Sequence, residues 1–214
     1  MRTKLILSFL LAGAVLSASP ITASINVVNP GQPVEKDSNG HDVGPYTLNV
    51  NGTNVQALCV DDTDWAPTSW TANVTNLGSG NLSATYHPGD LQEYEEDAWI
   101  FTQITQSGAN RVALQDAAWD IIDDSITNVS QIPNVLLGTA VGTDIANAIS
   151  DYGSVDMSDF EILSGTDPSA QGRPQEFIVA ATPEPASFAL LGAGLLLAGA
   201  FRSRLRKQSA CANA

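Results

Sequence analysis

The amino-acid sequence predicts an α+β domain, a hairpin-rich β-sheet lobe packed with a small helical lobe, set between an N-terminal signal peptide and a C-terminal transmembrane helix. Three observations predict this. Asn51-Gly52 separates two alternating apolar/polar runs, which is a hairpin signature. At Asp90 the apolar period changes from that of a strand to that of a helix. Each end of the chain carries an apolar segment flanked on one side by basic residues.

At the start, Arg2 and Lys4 precede an apolar run over residues 5–16 and then small residues, the layout of a secretory leader. The run falls short of the roughly 20 residues a spanning helix needs, so a leader over residues 1–23 is preferred to a short anchor. Cleavage after Ala18 and cleavage after Ala23 both fit the small-residue pattern. Residues 24–180 then form the exported domain, and residues 181–208 form a C-terminal signal containing the transmembrane helix.

The hairpin places strands over residues 46–50 and 53–60. A two-residue loop sets Val50 opposite Thr53, Leu48 opposite Val55, Tyr46 opposite Ala57 and Gly44 opposite Cys59, all on the apolar side. Cys59 is thus expected to point inward from the end of a core strand, facing a glycine that leaves it room. Strand-type sequence continues over residues 69–86, interrupted by a turn at Gly78-Ser79-Gly80.

Asp90, with Glu93 three residues on, is the expected N-cap of a helix that buries Leu91, Tyr94, Ala98, Phe101 and Ile104 and ends at Gly108. A second helix begins near Asn110 and offers Val112, Leu114, Ala118, Trp119, Ile121 and Ile122 for burial. Trp99 and Trp119 are expected to hold these two helices together. A third helix covers residues 141–153 and closes at Gly153. Residues 165–174 read as a loop and residues 174–180 as a returning strand.

The chain has a formal net charge of −14. Six of its nine basic residues lie at positions 2, 4, 202, 204, 206 and 207, so the domain between keeps only Lys36, Arg111 and Arg173. A surface this acidic repels nucleic acid and anionic lipid headgroups. His41 and His87 lack partners at zinc spacing, so no metal site is expected. Asp61, Asp62 and Asp64 lack the spacing, glycine and distal glutamate of an EF-hand, and read as a solvated acidic turn. No G-x-S-x-G elbow is present, and neither histidine sits in a motif that would make it a base. Asp116, Asp120, Asp123 and Asp124 read as the wet side of the second helix. No cofactor is implied.

Cys59 and Cys211 are the two cysteines, and Cys211 lies beyond the C-terminal basic cluster. Cys59 is therefore alone in a domain bound for an oxidising compartment.

Two resemblances follow. Pro183-Glu184-Pro185, an apolar stretch over residues 186–201 and then Arg202, Arg204, Arg206 and Lys207 resemble the PEP-CTERM sorting signal. That resemblance implies an exosortase-type sorting protease as partner, insertion in the inner membrane through the C-terminal helix, and delivery to the cell surface or beyond. The apolar stretch makes a helix of about 24 Å at 1.5 Å per residue, short for a bilayer but aided by snorkelling of the basic side chains, which stay cytoplasmic. A plain C-terminal membrane helix is the simpler alternative.

The second resemblance is carried by Leu58-Cys59-Val60-Asp61 at a strand end and by Leu114, Gln115, Ala117 and Trp119 on the second helix. Over roughly residues 46–123 these are similar to the thioester domain of bacterial surface adhesins. In that family the cysteine condenses with the glutamine. The resemblance implies a Cys59–Gln115 crosslink supported by Leu58, Asp61, Ala117 and Trp119, with Ala118 smaller than the family's usual isoleucine. The implied activity is covalent attachment to an unknown amine-bearing surface partner, by a binder and not an enzyme. The alternative is an inert structural or matrix protein with the same anchor, in which Cys59 is a small buried hydrophobe. An exported hydrolase ranks third.

Overall fold

The computed structural model describes residues 21–27, 35–64, 67–166 and 173–181. Most of the expected leader, Pro183-Glu184-Pro185 and the expected transmembrane helix lie outside the described residues. No helix among the described residues is long and apolar enough to cross a membrane.

Six antiparallel strands close into a barrel: β1 (Ile21–Val27), β2 (Tyr46–Val50), β3 (Thr53–Cys59), β4 (Ser69–Asn76), β5 (Phe160–Gly165) and β6 (Phe177–Ala180). Around the barrel their order is β1, β2, β3, β6, β5, β4. Three helices, α1 (Leu91–Ile104), α2 (Arg111–Asp124) and α3 (Ala140–Asp151), fall in the chain between β4 and β5. The α+β class thus holds, with the sheet closed on itself and therefore without a free edge.

The central hairpin forms as its turn chemistry dictates. Asn51 and Gly52 both take positive φ, 50° and 92°, which a type I′ turn requires. The register sets Val50 against Thr53, Leu48 against Val55 and Tyr46 against Ala57. β3 ends at Cys59, which pairs across its other edge with Phe177 of β6.

Alternation along the strands builds two cores. Ala23, Ile25, Leu48, Ala57, Cys59, Ala72, Leu163, Phe177 and Val179 fill the barrel interior. The intervening Leu58, Ile162 and Ile178 face outward and join a larger core with the helices, including Ile100, Ile104, Ala117, Ala118, Ile121 and Ile145. The ends of β3, β5 and β6 are therefore buried on both faces, and α2 packs on β3 while α1 packs on β6.

Several expectations need correction. β1 and β5 were not anticipated as strands. Ala23, one of the two candidate cleavage positions, lies within β1, where it is buried and pairs with Ala72. Residues 81–86 form no strand: β4 stops at Asn76, and a 3-10 turn over Leu77–Ser79 follows, with Gly80 at φ 64°. Asp90 precedes α1 but makes no side-chain cap, because its carboxylate is turned to His87 Nδ1 at 3.5 Å. α1 ends at Ile104, short of Gly108, and α3 gives way to a 3-10 turn at Tyr152 before Gly153 is reached. Asn110 does cap α2, accepting from the Ala113 amide at 3.4 Å, as Thr139 caps α3 through Gly142.

Candidate functional site

Cys59 and Gln115, 56 residues apart, meet where the end of β3 touches α2, and neither has any exposed surface. Gln115 reaches down from α2 and donates from Nε2 to the Cys59 carbonyl at 2.6 Å. Its Oε1 accepts from the Gly44 amide at 3.1 Å. Both ends of the carboxamide are thus held by backbone groups, one of them belonging to the cysteine itself.

Gly44 is a residue that sequence reasoning assigned the wrong job. It makes room for Gln115 and not for the thiol, since a Cβ at position 44 would lie 3.0 Å from Gln115 Oε1. The glycine preceding the hairpin was the visible signal; what approached it was not.

The Cys59 thiol donates to the Asp61 carbonyl at 3.0 Å. Burial, reinforced by the Asp61 charge, pushes this thiol well above its usual pKa, so it is protonated here. Asp61 is 1% exposed, so the expectation of a solvated turn fails at this residue, whereas Asp62 is exposed and Asp64 half-buried. Its carboxylate accepts from the Glu176 amide at 3.1 Å and the Asp64 amide at 3.0 Å, tying the end of β3 to the start of β6. Burial raises this carboxyl to about 6. Leu58 turns outward into the core shared with α2, and Ala117 is the small buried residue of α2 in that same core. The motif residues around Cys59 and Gln115 therefore lock the local geometry instead of contributing reactive groups.

Trp99 lies in the helix core as expected. Trp119 is equally buried but faces elsewhere: its ring meets His41 edge-on at 5.8 Å between centroids. Its indole N–H has no acceptor in hydrogen-bonding geometry. Asp116 and Asp120 are half-buried, and only Asp123 and Asp124 are fully on the wet side of α2.

A second polar centre, absent from the sequence reading, lies beside the first. Glu176, with no exposed surface, accepts from the Tyr86 amide at 2.8 Å and from the hydroxyls of Tyr94 and Ser164. Burial raises its pKa to about 7. Among the described residues no three His, Cys, Asp or Glu side chains converge as metal ligands would.

The described fold is a small barrel with a helical layer and an enclosed cysteine–glutamine pair. Residues 181–207 match the PEP-CTERM protein-sorting motif, which marks an exported protein sorted to the cell surface by an exosortase. No curated protein and no solved structure matches the chain.

Proposed function

We propose that Cys59 and Gln115 condense into an internal thioester, through which this surface-sorted domain bonds covalently to an amine-bearing partner. The domain acts once per molecule, as a binder and not an enzyme, and needs no cofactor. The tail inserts in the inner membrane through its apolar stretch before exosortase processing near Pro183-Glu184-Pro185.

The observation that carries this reading is the double anchoring of the Gln115 amide against the cysteine's own backbone. Condensation forms a bond from Cys59 Sγ to Gln115 Cδ and breaks the bond from Cδ to Nε2. The thiol proton leaves on the departing nitrogen, so ammonia is released and no oxidant is needed. The Gly44 amide, already on Oε1, is the donor for the negative charge that develops on that oxygen. Burial keeps water from the product.

A specific observation also favours the inert reading: the oxygen and the nitrogen of the Gln115 carboxamide each already have a backbone partner, so burial of the glutamine needs no covalent bond. Intact mass separates the two. The thioester form is lighter by one ammonia, and Cys59→Ala and Gln115→Ala each restore the full expected mass. A wild-type chain at full mass overturns the proposal. Resistance of Cys59 to alkylation is not diagnostic, because a thiol with no exposed surface resists reagents either way.

A further inference from the structure

A groove of about 450 Å³ lies between α1 and α3 and is lined by neither Cys59 nor Gln115. The helical period builds its walls. On α1 and the turn that follows it, Trp99, Gln103 and Gln106 stand at i, i+4 and i+7. On α3, Asp144, Asn147 and Asp151 stand at i, i+3 and i+7, a row about 10 Å long at 1.5 Å per residue. Leu114 of α2, a member of the helix core, lines the same groove, and Trp99 keeps 9% of its surface exposed.

The two walls differ in how far their polar groups are already used. Gln103 Nε2 donates to Thr102 Oγ1 at 2.9 Å, and Gln106 Nε2 donates to the Thr102 carbonyl and to Gln103 Oε1, each at 3.3 Å. The two amides are thus held in place, with Gln106 Oε1 and one Gln103 N–H still free among the described residues. The α3 wall is unused. Asp144 is half-buried, and burial alone raises its pKa, since no hydrogen bond and no neighbouring charge reaches the carboxylate. Asn147 and Asp151 are exposed, and among the described residues neither aspartate is in an ion pair.

This lining discriminates among ligand classes. It holds no lysine, arginine or histidine, so an anionic sugar or a phosphate would meet only carboxylates. An apolar ligand would take Asp144 further from water and offer no donor in exchange. A compact cation would reach one carboxylate at a time, because Asp144 and Asp151 stand about two helical turns apart, and would leave the amides idle. A row of uncharged hydroxyls, each donor and acceptor at once, suits carboxylates and carboxamides together.

We propose that this groove binds a neutral oligosaccharide, about two linked sugar rings at a time. Asp144 and Asp151 accept from its hydroxyls, Asn147, Gln103 and Gln106 donate and accept, and its C–H face packs on Trp99 and Leu114. The proposal is independent of the thioester reading, since no atom of the Cys59–Gln115 pair takes part.

The test is protein-observed NMR of the purified mature protein, with cellobiose, maltose, lactose and chitobiose as neutral probes, digalacturonate as an anionic probe and trilysine as a basic one. At least one neutral disaccharide should shift the side-chain amide signals of Gln103, Gln106 and Asn147 and the indole signal of Trp99. Its Kd should be in the millimolar range and unchanged by salt. Asp144→Ala and Asn147→Ala should each weaken binding by about tenfold. The buried side chains of α3 are those of Ile145 and Ala148, so both variants should keep the folded spectrum elsewhere. Digalacturonate should bind more weakly than the preferred neutral disaccharide by about tenfold.

If no neutral disaccharide moves these signals, or if the shifts survive both substitutions, the assignment is overturned. A trilysine response that salt abolishes, with no saccharide response, makes the groove a basic-peptide site and overturns it equally. The mass of the protein does not enter the measurement, so the fate of the thioester leaves the outcome unaffected.

Discussion

At the residue scale, the site depends on atoms that carry no reactive chemistry. Gly44 supplies an amide to Gln115 Oε1 and lacks the Cβ that would press on it. Gly44→Ala should therefore push Gln115 off its position, at a cost of about 1–3 kcal/mol from overpacking. The expected outcome is a folded domain, by circular dichroism, with full mass and no reaction with amines. A Gly44→Ala protein that still lacks one ammonia would show that the Gly44 contact is dispensable. Asp61 works similarly at a distance, since its carboxylate holds two backbone amides and its carbonyl holds the thiol.

At the scale of elements, β1 matters most. It pairs with β2 on one side and with β4 on the other, and its ladder with β4 is one of the six that the closed barrel requires. Ile21, Thr22 and Ala23 pair with Val74, Asn73 and Ala72, half of the six pairs it makes with β4. Signal-peptide cleavage after Ala23 would remove these three residues, whereas cleavage after Ala18 leaves the strand whole. The expected mature N-terminus is therefore Ser19, which N-terminal sequencing of the exported protein can check. A chain made to begin at Ser24 should unfold at lower temperature than one beginning at Ser19. Equal melting temperatures would mean that the first half of β1 adds nothing to closure.

At the scale of the whole molecule, the acidic composition sets how stability depends on pH. Glu176 is raised from 4.5 to about 7 by burial, Glu96 likewise to about 7, and Asp61 to about 6. Asp97 is fully buried with neither carboxylate oxygen partnered, and burial holds it well above the ordinary range. Each of these groups binds its proton more tightly in the folded chain than in the unfolded one. The contribution of Glu176, Glu96 and Asp61 is fully present below about pH 4 and is lost as pH rises through about 6 to 7. Glu176 alone accounts for at most on the order of 3 kcal/mol across that window. The domain should thus melt at a higher temperature at pH 5.5 than at pH 8, by scanning calorimetry. A melting temperature that rises toward pH 8 would mean that these carboxyls are ionised and otherwise compensated.

The sequence by itself determined the features whose causes are local. Asn51-Gly52 sets its hairpin and register because both residues must take positive φ in the turn, whatever surrounds it. The three helices follow from apolar periodicity, with Asn110 a cap that acts over three residues. The sorting tail was legible as an ordered triplet, apolar stretch and basic cluster. Only the tertiary structure decided barrel closure, because β1 and β5 draw their stability from β4, a partner distant in the chain, and not from their own pattern. β5 is buried on both faces and so lacks the alternation that betrays a half-exposed strand. It also decided the surroundings of the cysteine. Cys59 and Gln115 were each visible in the sequence, but Gly44 under the amide, Trp119 turned from the helix core to His41, and the buried Asp61 and Glu176 depend on which surfaces meet. Turn chemistry and periodicity act within a few residues, whereas burial and polar satisfaction are imposed by neighbours that only folding supplies.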